Sequence, residues 1–182
     1  TDDVNPLSQD LVDVIEEVNG VEIAAGRLLR TSSIERDDEE SNVFIVSLPE
    51  DTAKREFVKR TFDYEIKEGR SLIPGTSGVL VGSELYSDED NPYRLRERIP
   101  IQNETVRVVG LLEEVESFRV DNAFVMLQDE METLFDVNDT FDIILVKPAD
   151  PSNIQRVKED IEDELRKERD VEEGSEDFDV ES

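Results

Sequence analysis

The chain has 182 residues, and its 48 Asp and Glu residues outnumber its 20 Lys and Arg residues to give a formal net charge of −28. It contains no Cys, His or Trp, so it can form no disulfide and can run neither Ser-His-Asp nor Cys-His catalysis. The excess of negative charge would repel a phosphate backbone and argues against any nucleic-acid partner.

The first 60 residues predict a helix, two strands and a second helix. Ser8 is a suitable N-cap, and Leu11, Ile15 and Val18 follow it at helical spacing. Asn19-Gly20 then ends the pattern, as a glycine after a helix does. The predicted strands are residues 21–34 and 42–48, with an acidic turn at 36–40 between them and a short helix after Pro49.

Residues 62–118 predict a strand-rich segment with short connections. A glycine-containing loop at 75–78 precedes a short apolar strand at 79–81. The apolar runs 99–101 and 106–112 flank Asn103-Glu104, and this arrangement predicts a β-hairpin.

Strand and helix alternate again after residue 118. One helix carries the stripe Ile154, Val157, Ile161 and Leu165, which is more often the core side of a helix than a partner-binding face. The other predicted elements are strands at 123–126, 142–147 and 177–182 and a helix with Met131, Leu134 and Phe135.

Together these elements predict an α+β fold with two subdomains. Residues 1–60 and 120–182 would form one α/β subdomain built from both chain ends. Residues 61–119 would form a β-rich insert. The division rests on the change in the length and spacing of the apolar runs near residues 62 and 118.

The charge composition indicates an environment with a high salt concentration. Self-repulsion at a net charge of −28 is costly in dilute buffer, whereas salt at 1 M shortens the Debye length to about 3 Å. Arg outnumbers Lys by 14 to 6, and the acidic residues are spread along the whole chain. We expect a halophilic protein. The alternative is an acidic protein from an ordinary cell, with a basic partner.

No apolar run reaches the ~18 to 20 residues that span a bilayer. The sequence has no signal-peptide pattern and begins at Thr1 instead of Met. We therefore expect either a mature fragment or a soluble piece of a longer protein.

We predict no catalytic, cofactor-binding or metal-binding residues. Gly75, Gly78 and Gly82 are interpreted as turn glycines, because no Lys-Ser/Thr pair follows them as in a phosphate-binding loop. The acidic residues 88–91 lack the spacing of a calcium-binding EF-hand and are interpreted as a solvated loop. Asn103 and Asn138 begin sequons and are possible glycosylation sites, although a three-residue motif also arises by chance.

The order of several short motifs is specific, although each motif alone is not. The helix capped by Ser8 ends at Gly20-Val21, and the last helix is followed by Asp177-Phe178-Asp179-Val180. The motifs between them are Gly69-Arg70, Val79-Leu80-Val81-Gly82, Val108-Val109-Gly110-Leu111-Leu112 and Ile144-Leu145-Val146-Lys147-Pro148-Ala149-Asp150. Over nearly its whole length the chain resembles the extracytoplasmic core domain of MacB-type ABC transporter permeases, a group that includes FtsX and the LolC and LolE proteins.

The resemblance implies a domain outside the cell membrane, between the first and second transmembrane helices of a permease. It implies a porter subdomain from residues 1–60 and 120–182 and an inserted sabre subdomain from residues 61–119. Its partners would be a cytoplasmic ATPase subunit, a second permease copy and the membrane. Thr1 and Ser182 should then point out of the same face. Family members often have a Gly-Asp-x-Ile turn where this sequence has Arg96-Glu97-Arg98-Ile99, so the sabre geometry is expected to differ.

The sequence thus supports a non-catalytic domain that relays ATP-driven conformational change to an extracytoplasmic substrate or partner. The alternative is a secreted or surface-exposed binding module of a halophile without an ABC partner. A carboxylate-based hydrolase is a third hypothesis, but with 48 acidic residues no pair is informative, and a chain without Trp and with three Tyr offers no aromatic platform for a sugar. The transported substrate and the composition of the dimer stay open.

Overall fold

The structure, a computed structural model, describes residues 6–182. Its helices are α1 (Gln9–Glu17), α2 (Thr52–Thr61), α3 (Ser83–Ser87), α4 (Phe118–Asp121), α5 (Gln128–Phe135) and α6 (Ile154–Arg169). Its strands are β1 (Val21–Arg27), β2 (Leu29–Arg36), β3 (Glu39–Leu48), β4 (Ile66–Gly69), β5 (Val79–Val81), β6 (Arg98–Ile101), β7 (Glu104–Leu112), β8 (Ala123–Leu127) and β9 (Ile143–Pro148). These elements confirm the predicted α+β class.

The chain divides into two compact units. Unit 1 contains the described residues up to Gly26 together with Asp139–Ser182, and unit 2 is Arg27–Asn138. Unit 2 is therefore an insertion within unit 1. Among the described helices, none combines the length and the apolar composition that crossing a bilayer would require.

Unit 1 consists of a two-stranded sheet, β1 with β9, and the helices α1 and α6, which pack against each other. The Ser8 hydroxyl accepts a hydrogen bond from the Leu11 amide at 3.3 Å, which confirms the predicted N-cap. Gly20 follows the helix with φ +95°, and a β-carbon there would lie 2.9 Å from Cγ2 of Val157. The shared core of unit 1 contains Leu11, Val12, Ile15, Ala24, Phe141, Val157, Ile161 and Leu165.

Three of the four residues in the predicted α6 stripe are buried in this core. Val157, Ile161 and Leu165 are each 5% exposed or less, so the stripe is the core side of the helix at these positions. Ile154 is 44% exposed and lies at the first turn of the helix, outside that contact.

Unit 2 is built on a seven-stranded mixed sheet. Its strand order is β2-β3-β8-β5-β7-β4, with β6 paired to β7. β3 and β8 run parallel, whereas β8 and β5 run antiparallel. The core on this sheet includes Leu28, Ile34, Val43, Ile45, Val79, Val81, Ile99, Ile101, Val106, Val108, Phe124, Met126 and Met131.

The observed boundaries differ from the predicted ones. The prediction placed residues 1–60 with 120–182, whereas the structure divides the chain after residues 26 and 138. The physical reason is the sheet, because β8 pairs with β3 on one side and with β5 on the other. Hydrogen bonds therefore run without a break from residues 27–60 through 123–127 to the predicted insert. The porter and sabre roles of the two units stay predictions.

Several single elements also differ from their predictions. The strand expected at 21–34 is interrupted at Leu28, whose amide donates to the Ser47 hydroxyl at 2.8 Å. The strand expected at 177–182 is wrong, because that segment has no regular structure. Its Phe178 and Val180 instead pack, half-buried, against the core of unit 1.

Two hairpins of unit 2 turn through pairs of left-handed residues that are not glycine. The β2–β3 turn has Asp37 at φ 50° and Asp38 at φ 64°, and the β6–β7 turn has Gln102 at φ 49° and Asn103 at φ 66°. Two such residues in succession form the turn whose twist suits a two-residue hairpin loop. The predicted hairpin near Asn103 is confirmed, and its turn begins one residue earlier than expected.

Candidate functional surfaces

The acidic loop at residues 88–91 closes on itself. One oxygen of Asp88 accepts hydrogen bonds from the amides of Asp90 at 2.9 Å and Asn91 at 2.7 Å. Such a turn satisfies the backbone with a side chain and needs no ion. Within residues 6–182, no three acidic side chains are grouped so that they could hold a metal ion.

A groove of about 380 Å³ lies beside this loop in unit 2. Arg36 is the cation among its lining residues, and its guanidinium donates to Oε1 of Glu97 at 2.8 Å and to the carbonyls of Asn91 and Pro92 at 3.0 Å. Because these partners belong to the fold, Arg36 is a structural cation. The acidic residues lining the groove are Glu39, Glu40, Glu84, Asp88 and Asp90.

Tyr93 lines the same groove and is 5% exposed. The Arg36 guanidinium lies 3.7 Å from the centre of its ring, and Phe124 meets the ring edge-on at 4.9 Å. The Tyr93 hydroxyl is buried and has no hydrogen-bond partner within the described structure. A buried hydroxyl without a partner lowers stability.

We expect Tyr93→Phe to raise the free energy of unfolding by about 1 kcal/mol, because it removes this hydroxyl and keeps the ring. Chemical denaturation would measure the change. Tyr64→Phe is the matched control: the Tyr64 hydroxyl accepts a hydrogen bond from Nη2 of Arg27 at 2.9 Å, so this variant should lose about 1–2 kcal/mol. A loss of stability in Tyr93→Phe would contradict the prediction.

The structure shows what surrounds the three glycines that were singled out in the sequence. Gly75 lies in open space with φ +78°, and a β-carbon on Gly78 would lie 2.7 Å from the Val109 side chain. A β-carbon on Gly82 would lie 2.4 Å from the carbonyl oxygens of Val120 and Asp121. Gly75 thus lies in a turn, as interpreted from the sequence, whereas Gly78 and Gly82 flank β5 at positions of close packing.

Gly82→Ala is expected to destabilise the protein by about 2 kcal/mol or more, because the new methyl group would collide with backbone atoms that cannot rotate away. Gly75→Ala serves as the control. It meets no neighbour and should cost only about 1 kcal/mol through its left-handed backbone. Equal losses in the two variants, measured by thermal melting, would contradict the assignment of Gly82 to close packing.

Glu50 is the carboxyl that a hydrolase hypothesis would single out. Burial raises the pKa of Glu50 above its ordinary value, the amide of Asp129 lowers it, and the nearby charge of Asp129 raises it again. Its Oε1 accepts from the Asp129 amide at 3.2 Å, within the first turn of α5. Glu50 therefore satisfies a helix start, and it is not among the residues that line the groove.

Arg27 is the most deeply buried cation of unit 2, at 2% exposed. Its Nε donates to the Ser47 carbonyl and its Nη2 to the Tyr64 hydroxyl, both at 2.9 Å. The guanidinium also lies 4.5 Å from the centre of the Phe62 ring. Arg27 thus fastens the beginning of unit 2 to the end of β3 and to the loop after α2.

Unit 1 holds the first and last described segments of the chain. The amide of Phe141 donates to the Leu7 carbonyl at 2.7 Å. On α6, Arg166 donates to Oε1 of Glu176 at 2.9 Å, and Arg169 donates to Oδ2 of Asp177 at 2.6 Å. The amide of Glu176 itself and the Arg166 guanidinium lower the pKa of the Glu176 carboxyl. The expected proximity of Thr1 to Ser182 involves a residue outside the described range.

The two sequons lie at exposed positions. Asn103 is in the β6–β7 turn, and Asn138 lies between α5 and β9. Their glycosylation stays a prediction.

Phe118, at the start of α4, is 81% exposed. Sequence reasoning missed it because nothing in the local pattern distinguishes it from a buried aromatic residue.

Residues 1–164 match the family described as MacB-like periplasmic core domain. The chain belongs to this family, which confirms the resemblance drawn from the order of the sequence motifs.

Comparison with individual proteins agrees with this family. An uncharacterised ABC transporter permease of Methanocaldococcus jannaschii is 26% identical over 172 residues, which cover 93% of this chain and 41% of that protein. The chain thus spans about two fifths of the length of this curated relative.

Solved structures share the fold. The extracellular domain of the noncanonical ABC-type transporter YknZ from Gram-positive bacteria has a TM-score of 0.72 at 12% identity, covering 92% of this chain and 87% of that one. The periplasmic region of MacB from Actinobacillus actinomycetemcomitans has a TM-score of 0.67 at 11% identity, covering 91% of this chain and 75% of that one.

Proposed function

We propose that the chain is the extracytoplasmic part of an ABC transporter permease and relays ATP-driven conformational change to a substrate or partner outside the cell. The domain itself is non-catalytic in this proposal. A cytoplasmic ATPase subunit would supply the energy, and a second permease copy would complete the transporter. Transmembrane helices on both sides of the domain would connect it to the membrane.

The observation that carries the proposal is the arrangement of the chain. The described segments near both ends belong to unit 1, and unit 2 is one continuous insertion between them. An external domain with two membrane connections needs both connecting segments on one body, so that they can move it together. Family membership supports the same interpretation.

We also propose that the acidic surface adapts the domain to concentrated salt. The chain has 48 acidic and 20 basic residues, so more than half of the carboxylates could have no basic partner within the chain. Several of the observed ion pairs are local ones within α6, such as Arg166 with Asp163 at 2.6 Å and Lys167 with Glu164 at 3.2 Å. Such exposed pairs contribute little to stability, so the remaining carboxylates depend on the solvent for screening.

The relay can be tested in the full-length permease with its ATPase in lipid vesicles. The chain contains no Cys, so Asp179→Cys in the exposed C-terminal segment would place a single nitroxide label in this domain. We expect the electron paramagnetic resonance spectrum to change when ATP and vanadate trap the ATPase. A label at Glu113→Cys, in unit 2, would report whether the change reaches the insertion. Identical spectra with and without nucleotide at both positions would overturn the proposed function.

A further inference from the structure

The side chain of Arg169 contacts both the segment before α1 and the segment after α6, which belong to unit 1. Its Nη1 donates to Oδ2 of Asp177 at 2.6 Å, and its Nη2 donates to the Pro6 carbonyl at 3.1 Å. Pro6 and Arg169 are 163 residues apart in sequence. One guanidinium on the last turn of α6 therefore joins the segment before α1 to the segment after α6.

This contact is shielded from solvent at its centre. The Arg169 side chain is 3% exposed, and that of Asp177 is 33% exposed. Hydrogen bonds in which a partner carries charge are stronger than neutral ones, and a low-dielectric setting strengthens them further. Leu7, Phe178 and Val180 pack against the same core, so apolar contact supports both segments beside the guanidinium.

Arg166, one turn earlier on α6, makes a different set of contacts. It donates to Glu176 at 2.9 Å and to Asp163 at 2.6 Å. These bonds fasten the C-terminal segment to the helix, and none of them reaches the N-terminal segment. Arg166 and Arg169 thus carry the same charge on the same helix but differ in whether they join the two segments.

We propose that Arg169 is a positioning residue that clamps the two membrane-directed segments to α6, so that they move as one body. The inference rests on the proposed function for its meaning, because only in a permease do both segments continue into membrane helices. A displacement of either membrane helix would then be passed to the other segment and to α6 through one rigid contact. Without the clamp, the two segments could move separately from each other.

Hydrogen exchange of the 182-residue chain tests the clamp without any transport assay. Arg169→Met keeps the apolar stem and removes the donors, and Arg166→Met is the matched control. The Phe141 amide, which donates to Leu7, reports on the N-terminal segment. The amides of Gly174 and Ser175, which donate to Glu176 and Glu172, report on the C-terminal segment.

We expect Arg169→Met to accelerate exchange about tenfold at both sets of amides, and Arg166→Met to accelerate it only at Gly174 and Ser175. Protection of the amides that pair β1 with β9 in unit 1, and of the buried amides on β8 in unit 2, should be unchanged in both variants, which would show that both units remain folded. If Arg169→Met leaves Phe141 protected, or if Arg166→Met exposes it equally, the clamp is overturned.

The same variants in the full-length permease test whether the Arg169 contact passes movement from one segment to the other and to α6. With Arg169→Met, ATP hydrolysis should continue, but a label on α6, at the exposed position Glu159→Cys, should lose its nucleotide-dependent spectral change, whereas with Arg166→Met it should retain that change. Retention of the full change in Arg169→Met would overturn the positioning role. Absence of the change in the unmodified protein would instead overturn the proposed function, and the exchange experiment would still decide whether Arg169 joins the two segments.

Discussion

Arg27→Ala should lower the free energy of unfolding by about 3–4 kcal/mol, which places it among the most damaging single substitutions in unit 2. The change leaves the Ser47 carbonyl and the Tyr64 hydroxyl without the donor that each now uses at 2.9 Å. Each buried polar group left unpaired costs about 1–3 kcal/mol. The missing side chain also leaves a cavity beside Phe62, whose ring loses the charge 4.5 Å away.

Arg27→Met separates packing from hydrogen bonding. Methionine fills most of the volume and removes the cost of burying a charge, so its loss should be smaller, about 1–2 kcal/mol. Urea denaturation followed by circular dichroism would measure both variants. If Arg27→Ala unfolds at the same urea concentration as the unmodified chain, the guanidinium does not hold the start of unit 2.

The melting temperature should be about 10 °C higher in 2 M KCl than in dilute buffer, which corresponds to about 3–5 kcal/mol for a chain of this size. The cause is the net charge of −28, whose self-repulsion opposes the compact state until salt screens it. Salt also weakens favourable ion pairs such as that between Lys147 and Glu22, whose charged atoms are 3.0 Å apart and whose side chains are half-exposed. Because exposed pairs each contribute ~1 kcal/mol or less, this loss should be smaller than the gain from screening.

Sucrose is the control for this experiment, because it stabilises proteins by exclusion from their surface and carries no charge. A smaller rise in sucrose than in KCl would assign the effect to screening. A variant with exposed acidic residues of α6 changed to amides, such as Glu159→Gln with Glu168→Gln, should gain less from KCl. Equal melting temperatures in dilute buffer and in KCl would contradict the proposed adaptation to salt.

Local patterns predicted the elements whose residues contact a core at regular spacing. Leu11 and Ile15 on α1 and Val157 and Ile161 on α6 were found because a helix repeats its buried face every three to four residues. The short helices α3 and α4 were missed, because four or five residues cannot show a period. The alternation of Phe178 and Val180 indicated burial correctly, but alternation does not reveal whether a strand partner exists.

Contacts between residues that are far apart in the sequence could not be predicted from local patterns. The domain boundary depends on β8 meeting β3 on one side and β5 on the other, and these partners are separated by long stretches of chain. Arg27 is a second example, because arginine is mostly a surface residue and its burial follows from the aromatic residues around it. The contact of Arg169 with Pro6 likewise joins residues with no local relationship.

The insertion of unit 2 into unit 1 also constrains the order of folding. Residues 27–138 are continuous, so they can form their sheet as soon as they have left the ribosome. The sheet of unit 1 must wait, because β1 precedes this stretch and its partner β9 follows it. Bringing β1 and β9 together across an unfolded stretch of this length carries an entropy cost. Substitutions that slow the folding of unit 2, such as those at Arg27, should therefore delay the assembly of unit 1 as well.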